Sequence, residues 1–180
     1  RYKRKIKLGF DPKLFTYQSL RRHFLPEFEL IAIKDNLIDQ LYINKKVKGK
    51  SFFQLSSKVA GETVRSKLKK LLNFMSKKKI DNIFISAPEN VSWLLNLRGH
   101  DNPNSPIPNC HLIISNKGIF YLISHKKKVS KLIHEKKIKS YQVIEPKNFN
   151  ELISNLKGQK IIIDKNTCSI FFENMLKKKI

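Results

Sequence analysis

Arg98, His100 and Asp101 are the residues whose types and spacing come nearest to chemistry in this chain. A guanidinium, an imidazole and a carboxylate this close together can brace one another or be presented to something outside the loop. They follow an apolar run from Val91 to Leu97 that contains the sole tryptophan, Trp93, and they precede a loop carrying Pro103, Pro106 and Pro108. An apolar element that ends in a charged residue and a proline-stiffened loop presents that residue at a fixed place. Two readings stand side by side. In one, Arg98 pairs with Asp101 to brace the loop, and Gly99 permits a positive-φ turn. In the other, the loop presents Arg98 or His100 to something outside it. Trp93 reads as the structural anchor in the core that sets where these side chains point.

The rest of the chain offers little other chemistry. Its six glycines form no GxGxxG or GxxxxGK[ST] phosphate loop and no GxSxG elbow. Two cysteines, Cys110 and Cys168, are too few for a disulfide framework and read as buried thiols without an activating histidine. No Cys/His cluster has zinc spacing, so no metal site is expected here. His134-Glu135 reads as a solvated helix face, His111 as a hydrogen-bonded structural residue heading a strand, and His23 and His125 as surface positions.

The formal net charge of +23 invites a nucleic-acid reading. Of the 37 basic residues only six are arginine (Arg1, Arg4, Arg21, Arg22, Arg65, Arg98), leaving 31 lysines scattered over nearly every element. Base readout favours arginine for its planar fork, so the lysines read as solvated surface and no specific nucleic-acid partner is expected. No apolar run approaches the roughly 20 residues of a membrane span, and no signal-peptide pattern opens the chain. A cytoplasmic protein without a membrane partner is the expectation. Residue 1 is Arg rather than Met, which suggests a piece of something longer.

The elements that must position the cluster are legible in outline. Lys5–Phe10 alternates like a strand and stops at Asp11-Pro12; Thr16 can cap a short helix to His23 with Leu20 inward; Glu29–Ile33 is a second strand; and Asn36–Tyr42 is a helical turn. Lys45–Gln54 lacks periodicity and reads as a linker. Residues 56–80 read as one amphipathic helix capped by Ser56 or Ser57, with Val59, Ala60, Val64, Leu68, Leu71, Leu72 and Met75 inward. Strand and helix patterns then alternate: strands at 82–86, 110–115, 119–123, 141–144 and 161–164, and helices at 88–95, 125–137, 148–156 and 167–176. Asn116-Lys117-Gly118 makes a hairpin turn. A hairpin inside a βα alternation implies an α/β fold with a mixed β-sheet flanked by helices.

The stretch Trp93-Leu94-Leu95-Asn96-Leu97-Arg98-Gly99-His100-Asp101, with its proline-bearing loop, resembles the WLLN-[IL]-RG-x-D signature of the middle domain of Xaa-Pro aminopeptidases, in the creatinase and prolidase superfamily. Where this chain has His100 the family carries a small residue, most often Ser. Gly9, Phe10, Asp11, Pro12, Leu14 and Thr16, then Asn36, Leu37, Ile38 and Asp39, resemble the end of the same family's first domain, in the family's order. The resemblance implies the tail of a first creatinase-N-like α/β domain over 1–45, a linker over 46–55 and a second such domain over 56–180, with a mixed sheet of about six strands. It further implies a missing C-terminal catalytic domain of pita-bread fold, where two divalent metals, typically manganese, sit on two Asp, one His and two Glu; none of those ligands is matched here. The implied full-length activity is metal-dependent removal of an N-terminal residue preceding proline, with a proline-containing peptide as substrate and a homodimer as a further association. This chain is then a non-catalytic region that shapes the substrate cleft or the dimer, with Arg98, His100 and Asp101 as cleft candidates. The alternative is a stand-alone interaction protein, a split-gene or decayed remnant without activity.

Overall fold

A computed structural model describes residues 6–24, 26, 28–41 and 50–179. The chain divides into two compact units. The described residues of Arg1–Val47 group with Asp164–Lys178, and those of Lys48–Ile163 form the second unit. This grouping differs from the sequence-based layout at both ends: residues 50–55 are built into the second unit, and the last helix groups with the first.

In the first unit, β1 (Ile6–Phe10), α1 (Tyr17–Phe24) and β2 (Phe28–Ala32) form a βαβ crossover, and α2 (Leu37–Leu41) follows. The strands pair in parallel, Ile6 opposite Phe28 through Phe10 opposite Ala32. Edge-to-face contacts link Phe10, Phe15, Phe24 and Phe28, an arrangement that suits ring quadrupoles and buries large apolar area. Thr16 caps α1 by accepting from the Ser19 N–H at 3.1 Å, and Leu20 is buried, as the sequence indicates. Asp11 ties the two halves of the unit's motif together. One carboxylate oxygen accepts from the Lys13 N–H at 2.8 Å, and the other accepts from the Asn36 amide at 3.1 Å. Asn36 in turn accepts from the Ile38 N–H at 3.0 Å and so starts α2. The GFDP and NLID segments are therefore one hydrogen-bonded corner.

The second unit is built on β3 (Phe53–Gln54), α3 (Ser57–Ala60), α4 (Val64–Lys78), β4 (Asn82–Ile85), α5 (Pro88–Leu95), β5 (Leu97–Arg98), β6 (His111–Ser115), β7 (Phe120–Ile123), α6 (Lys126–His134), β8 (Val143–Ile144), α7 (Phe149–Ser154) and β9 (Ile161–Ile163). Its main sheet has five strands in the order β8-β7-β6-β4-β9. Strand β6 is antiparallel to both β4 and β7, whereas β8 and β9 join in parallel, so the sheet is mixed and flanked by helices as expected. It has five strands rather than six among the described residues. The β6–β7 hairpin turns through Asn116–Gly118, where Gly118 takes φ 77°. The core gathers Met75, Ile80, Val91, Leu94, Leu95, Leu112, Ile114, Leu122, Val129, Leu132 and Val143 from both sheet and helices. Helix α6 has no acidic residue in its first turn, and Glu145 completes it from outside. That carboxylate accepts from the Lys126 N–H at 2.8 Å and lies 3.0 Å from His125 Nδ1, contacts that hold its pKa below the usual carboxylate range.

Three expectations are corrected. The segment read as a linker contains Phe52, which is fully buried, and β3, which pairs antiparallel with β5; its residues 45–49 lie outside the described residues. The aperiodic polar sequence there hid a single core aromatic and a two-residue strand. The helix read over 56–80 is two helices. Gly61 adopts φ 77° and ends α3, and Thr63 restarts the chain by accepting from the Ser66 N–H at 3.1 Å. Val59, read as inward, is consequently 72% exposed. The final helix, α8 (Ile170–Lys179), belongs to the first unit and starts three residues later than read. Asp164 holds the approach in a turn by accepting from the Asn166 N–H at 2.9 Å and the Thr167 hydroxyl at 3.2 Å.

Candidate functional site

The signature residues occupy the end of α5, strand β5 and the loop to β6. Helix α5 begins with Pro88, whose missing N–H costs nothing there, and ends at Asn96 in the left-handed conformation with φ 51°. Asparagine tolerates this φ better than other side chains with a Cβ. Its N–H returns to the Ser92 and Trp93 carbonyls, and its own carbonyl accepts from the Leu55 N–H at 2.8 Å. Its side chain does more. The amide nitrogen donates to the Glu62 carbonyl at 2.9 Å, and the amide oxygen accepts from the Lys67 ammonium at 2.7 Å.

Lys67 is 4% exposed and also donates to the Trp93 carbonyl at 2.6 Å. The Trp93 ring stands 4.4 Å from this ammonium, face toward the cation. A buried ammonium is tolerated only when oxygens and a π face replace its water. Trp93 is therefore not the core anchor inferred from sequence. It is 60% exposed and works as a roof over Lys67. An apolar run at a helix end suggests burial, but the ring's ordering contact is a cation on α4, which no local pattern reveals. We expect the fluorescence of this sole tryptophan to resemble indole in water and to be readily quenched by acrylamide. A blue-shifted, quencher-resistant emission would contradict the exposed placement.

Arg98 does not pair with Asp101. Its guanidinium donates to the Leu97 carbonyl at 2.7 Å and the Ser92 carbonyl at 3.2 Å, closing the open end of α5. The same nitrogen makes both contacts, and the other guanidinium nitrogens have no partner among the described residues. Asp101 instead accepts from the Asn109 N–H at 2.7 Å and pairs with the Lys128 ammonium on α6 at 2.5 Å. Its carboxylate side chain is 3% exposed, so its bonding capacity is spent inside the protein. Gly99 does not take a positive φ. It is required by close approach, since a Cβ there would lie 2.8 Å from Pro108 Cβ and 3.1 Å from the Phe52 ring. His100 is exposed and lies against Phe53, ring centroids 5.5 Å apart. The cluster is thus split: Asp101 braces the loop through α6, while Arg98 and His100 keep unused donor or acceptor capacity.

The remaining candidates stay quiet. Cys110 and Cys168 are buried, and burial, reinforced by the nearby Asp101 charge, pushes the Cys110 thiol up to about 12. A thiol held protonated is a poor nucleophile. The His111 Nδ1–H donates to the Ser86 carbonyl at 2.7 Å, and burial lowers its pKa, as befits a structural imidazole. Among the described residues no three His, Cys, Asp or Glu side chains converge to hold a metal ion, and no helix is long and apolar enough to cross a membrane.

The second unit is a mixed α/β module whose signature loop is locked by a helix-capping asparagine. The family model described as the Creatinase/Prolidase N-terminal domain matches residues 44–180, and the chain belongs to that family. Protein pid-5 of Caenorhabditis elegans is 30% identical over 128 residues, which cover 68% of this chain and 12% of pid-5. Xaa-Pro aminopeptidase app-1 of the same organism is 27% identical over 125 residues, covering 67% of this chain and 20% of app-1. The chain thus spans a fifth or less of the length of these two relatives. The crystal structure of the X-prolyl aminopeptidase from Caenorhabditis elegans, described as a cytosolic enzyme with a di-nuclear active site, shares the fold. Its TM-score is 0.68 at 23% identity, over 86% of this chain and 26% of that one.

Proposed function

We propose that this chain is the non-catalytic N-terminal region of a metal-dependent Xaa-Pro aminopeptidase, and that it shapes the substrate cleft through Arg98 and His100. The observation that carries the reading is the family match over residues 44–180 together with relatives that are themselves Xaa-Pro aminopeptidases and several times longer. Proline lacks an N–H and has a fixed φ, so a peptide with proline in second position needs a cleft shaped for it. The spare guanidinium nitrogens of Arg98 can hold a carbonyl or a carboxylate of such a peptide. His100, stacked on Phe53, adds a ring edge able to donate or accept. Asp101 acts in this reading as a positioning residue, fixing the loop through Lys128. The described residues do not fit a metal pair, so the reading assigns two divalent metals, manganese being the expected ion, to a catalytic domain outside this chain, and no chemical step is placed here. A cytoplasmic location and a homodimer belong to the same proposal.

The purified chain is expected to release no N-terminal residue from an Xaa-Pro peptide with manganese added; turnover above a metal-free blank would sink the proposal. The reading frame downstream of Ile180 separates this reading from a stand-alone interaction protein. Continuation into a domain carrying two Asp, one His and two Glu in metal-binding order supports the aminopeptidase, and a stop codon supports the alternative.

A further inference from the structure

A cleft of the second unit opens beside the end of α5, where Leu95 and Asn96 of the signature form part of its wall. It has a volume of about 950 Å³ and runs between the start of α4, the β3–α3 connection, the β6–β7 turn and the segment after α6. Its walls divide by chemistry. Half-buried Leu68, Leu72 and Phe120 supply an apolar floor, while Arg65, Lys69 and Lys137 supply exposed cations. No carboxylate of the described residues lines it. Arg65 and Lys69 have no ion-pair partner among the described residues; Lys137 pairs with Glu135, which lies outside the lining. The neighbouring Glu62 is occupied by Lys70 and by the Ser66 hydroxyl, and these contacts hold its pKa below the usual range. Among the described residues nothing anionic within the cleft answers its cations.

We propose that this cleft is a docking site for an acidic, amphipathic peptide segment of a partner protein. Charge complementarity selects the occupant. A protein of net charge +23 attracts polyanions everywhere, but only a ligand with alternating carboxylates and apolar side chains can use both the cation rim and the leucine floor. Single-stranded nucleic acid fits less well, because its bases need successive aromatic platforms and Phe120 is the only ring in the lining among the described residues. The uncharged lining residues Gln54, Ser57 and Asn73 can satisfy the peptide's backbone groups.

The test is calorimetric titration of the whole chain at low salt with a synthetic peptide of about ten residues alternating Glu and Leu, a length suited to groove recognition. Saturable binding is expected, and R65E/K69E should weaken it by roughly tenfold or more. K127E/K157E, which makes the same charge change at two exposed lysines outside the cleft, should have little effect. Circular dichroism confirms that both variants fold. Replacing the peptide's Leu by Ser should also weaken binding. Absence of binding, equal weakening by the two double variants, or indifference to the loss of leucine would overturn the proposal. So would a single-stranded RNA of equal charge that binds more tightly through Arg65 and Lys69.

Discussion

Asn96→Ala is expected to lower the unfolding free energy by about 3–5 kcal/mol, read as a fall in the urea midpoint at unchanged slope. Three losses add. Alanine at φ 51° bears a left-handed strain of about 1 kcal/mol. The Glu62 carbonyl loses its amide donor. Most costly, the Lys67 ammonium, 4% exposed, keeps only the Trp93 carbonyl and ring and loses its oxygen at 2.7 Å. An uncompensated buried charge is among the few mechanisms that produce effects of this size. Asn96→Gly separates the components. Glycine accepts the φ without strain, so it should recover about 1 kcal/mol relative to alanine and no more. A glycine variant as stable as the parent would show that only the backbone conformation matters and that the side-chain bonds contribute nothing.

Phe52→Ala should cost about 3–5 kcal/mol, the range for removing a fully buried aromatic side chain. Phe52 is wedged under the signature loop. A Cβ on Gly99 would reach its ring at 3.1 Å, the Lys128 ammonium stands 5.9 Å from its centroid, and its N–H donates to the Lys128 carbonyl at 2.7 Å. Emptying the site therefore removes support from both the glycine and the lysine that hold the loop. Hydrogen exchange should show amides near Gly99 and Asn109 losing protection along with the global change. A destabilisation under about 1 kcal/mol would mean that Phe52 is not the wedge described.

These two positions show how far the chain could be read before its structure. The strands of the main sheet, the hairpin at Asn116–Gly118 and the mixed α/β class were legible because each rests on local evidence: alternation, a turn glycine, a capping residue. Asn96 stands within the signature, yet its work is not legible there, because its partners Glu62 and Lys67 are 34 and 29 residues away. Phe52 was lost in a segment with no periodicity, since a two-residue strand leaves no pattern to detect. The helix over 56–80 was over-extended because apolar spacing continues through Gly61, and only the cap at Thr63 reveals the break.

For the candidate site the division follows the same physics. By itself the sequence determined the family, through Asp11 with Asn36 and through the Trp93–Asp101 signature, since both depend on short, specific strings of residues. It determined the α/β class, since hydrophobic periodicity is a local consequence of helix and strand geometry. The partners of charged and aromatic side chains were decided only by tertiary structure. Arg98 turned to helix carbonyls rather than to Asp101, Asp101 turned to Lys128, and Trp93 moved from the core to the surface over a buried lysine. A long polar side chain reaches across elements, and several partners lie within the same reach along the chain. Which one it meets depends on how helices and strands pack, and that packing is a property of the whole fold.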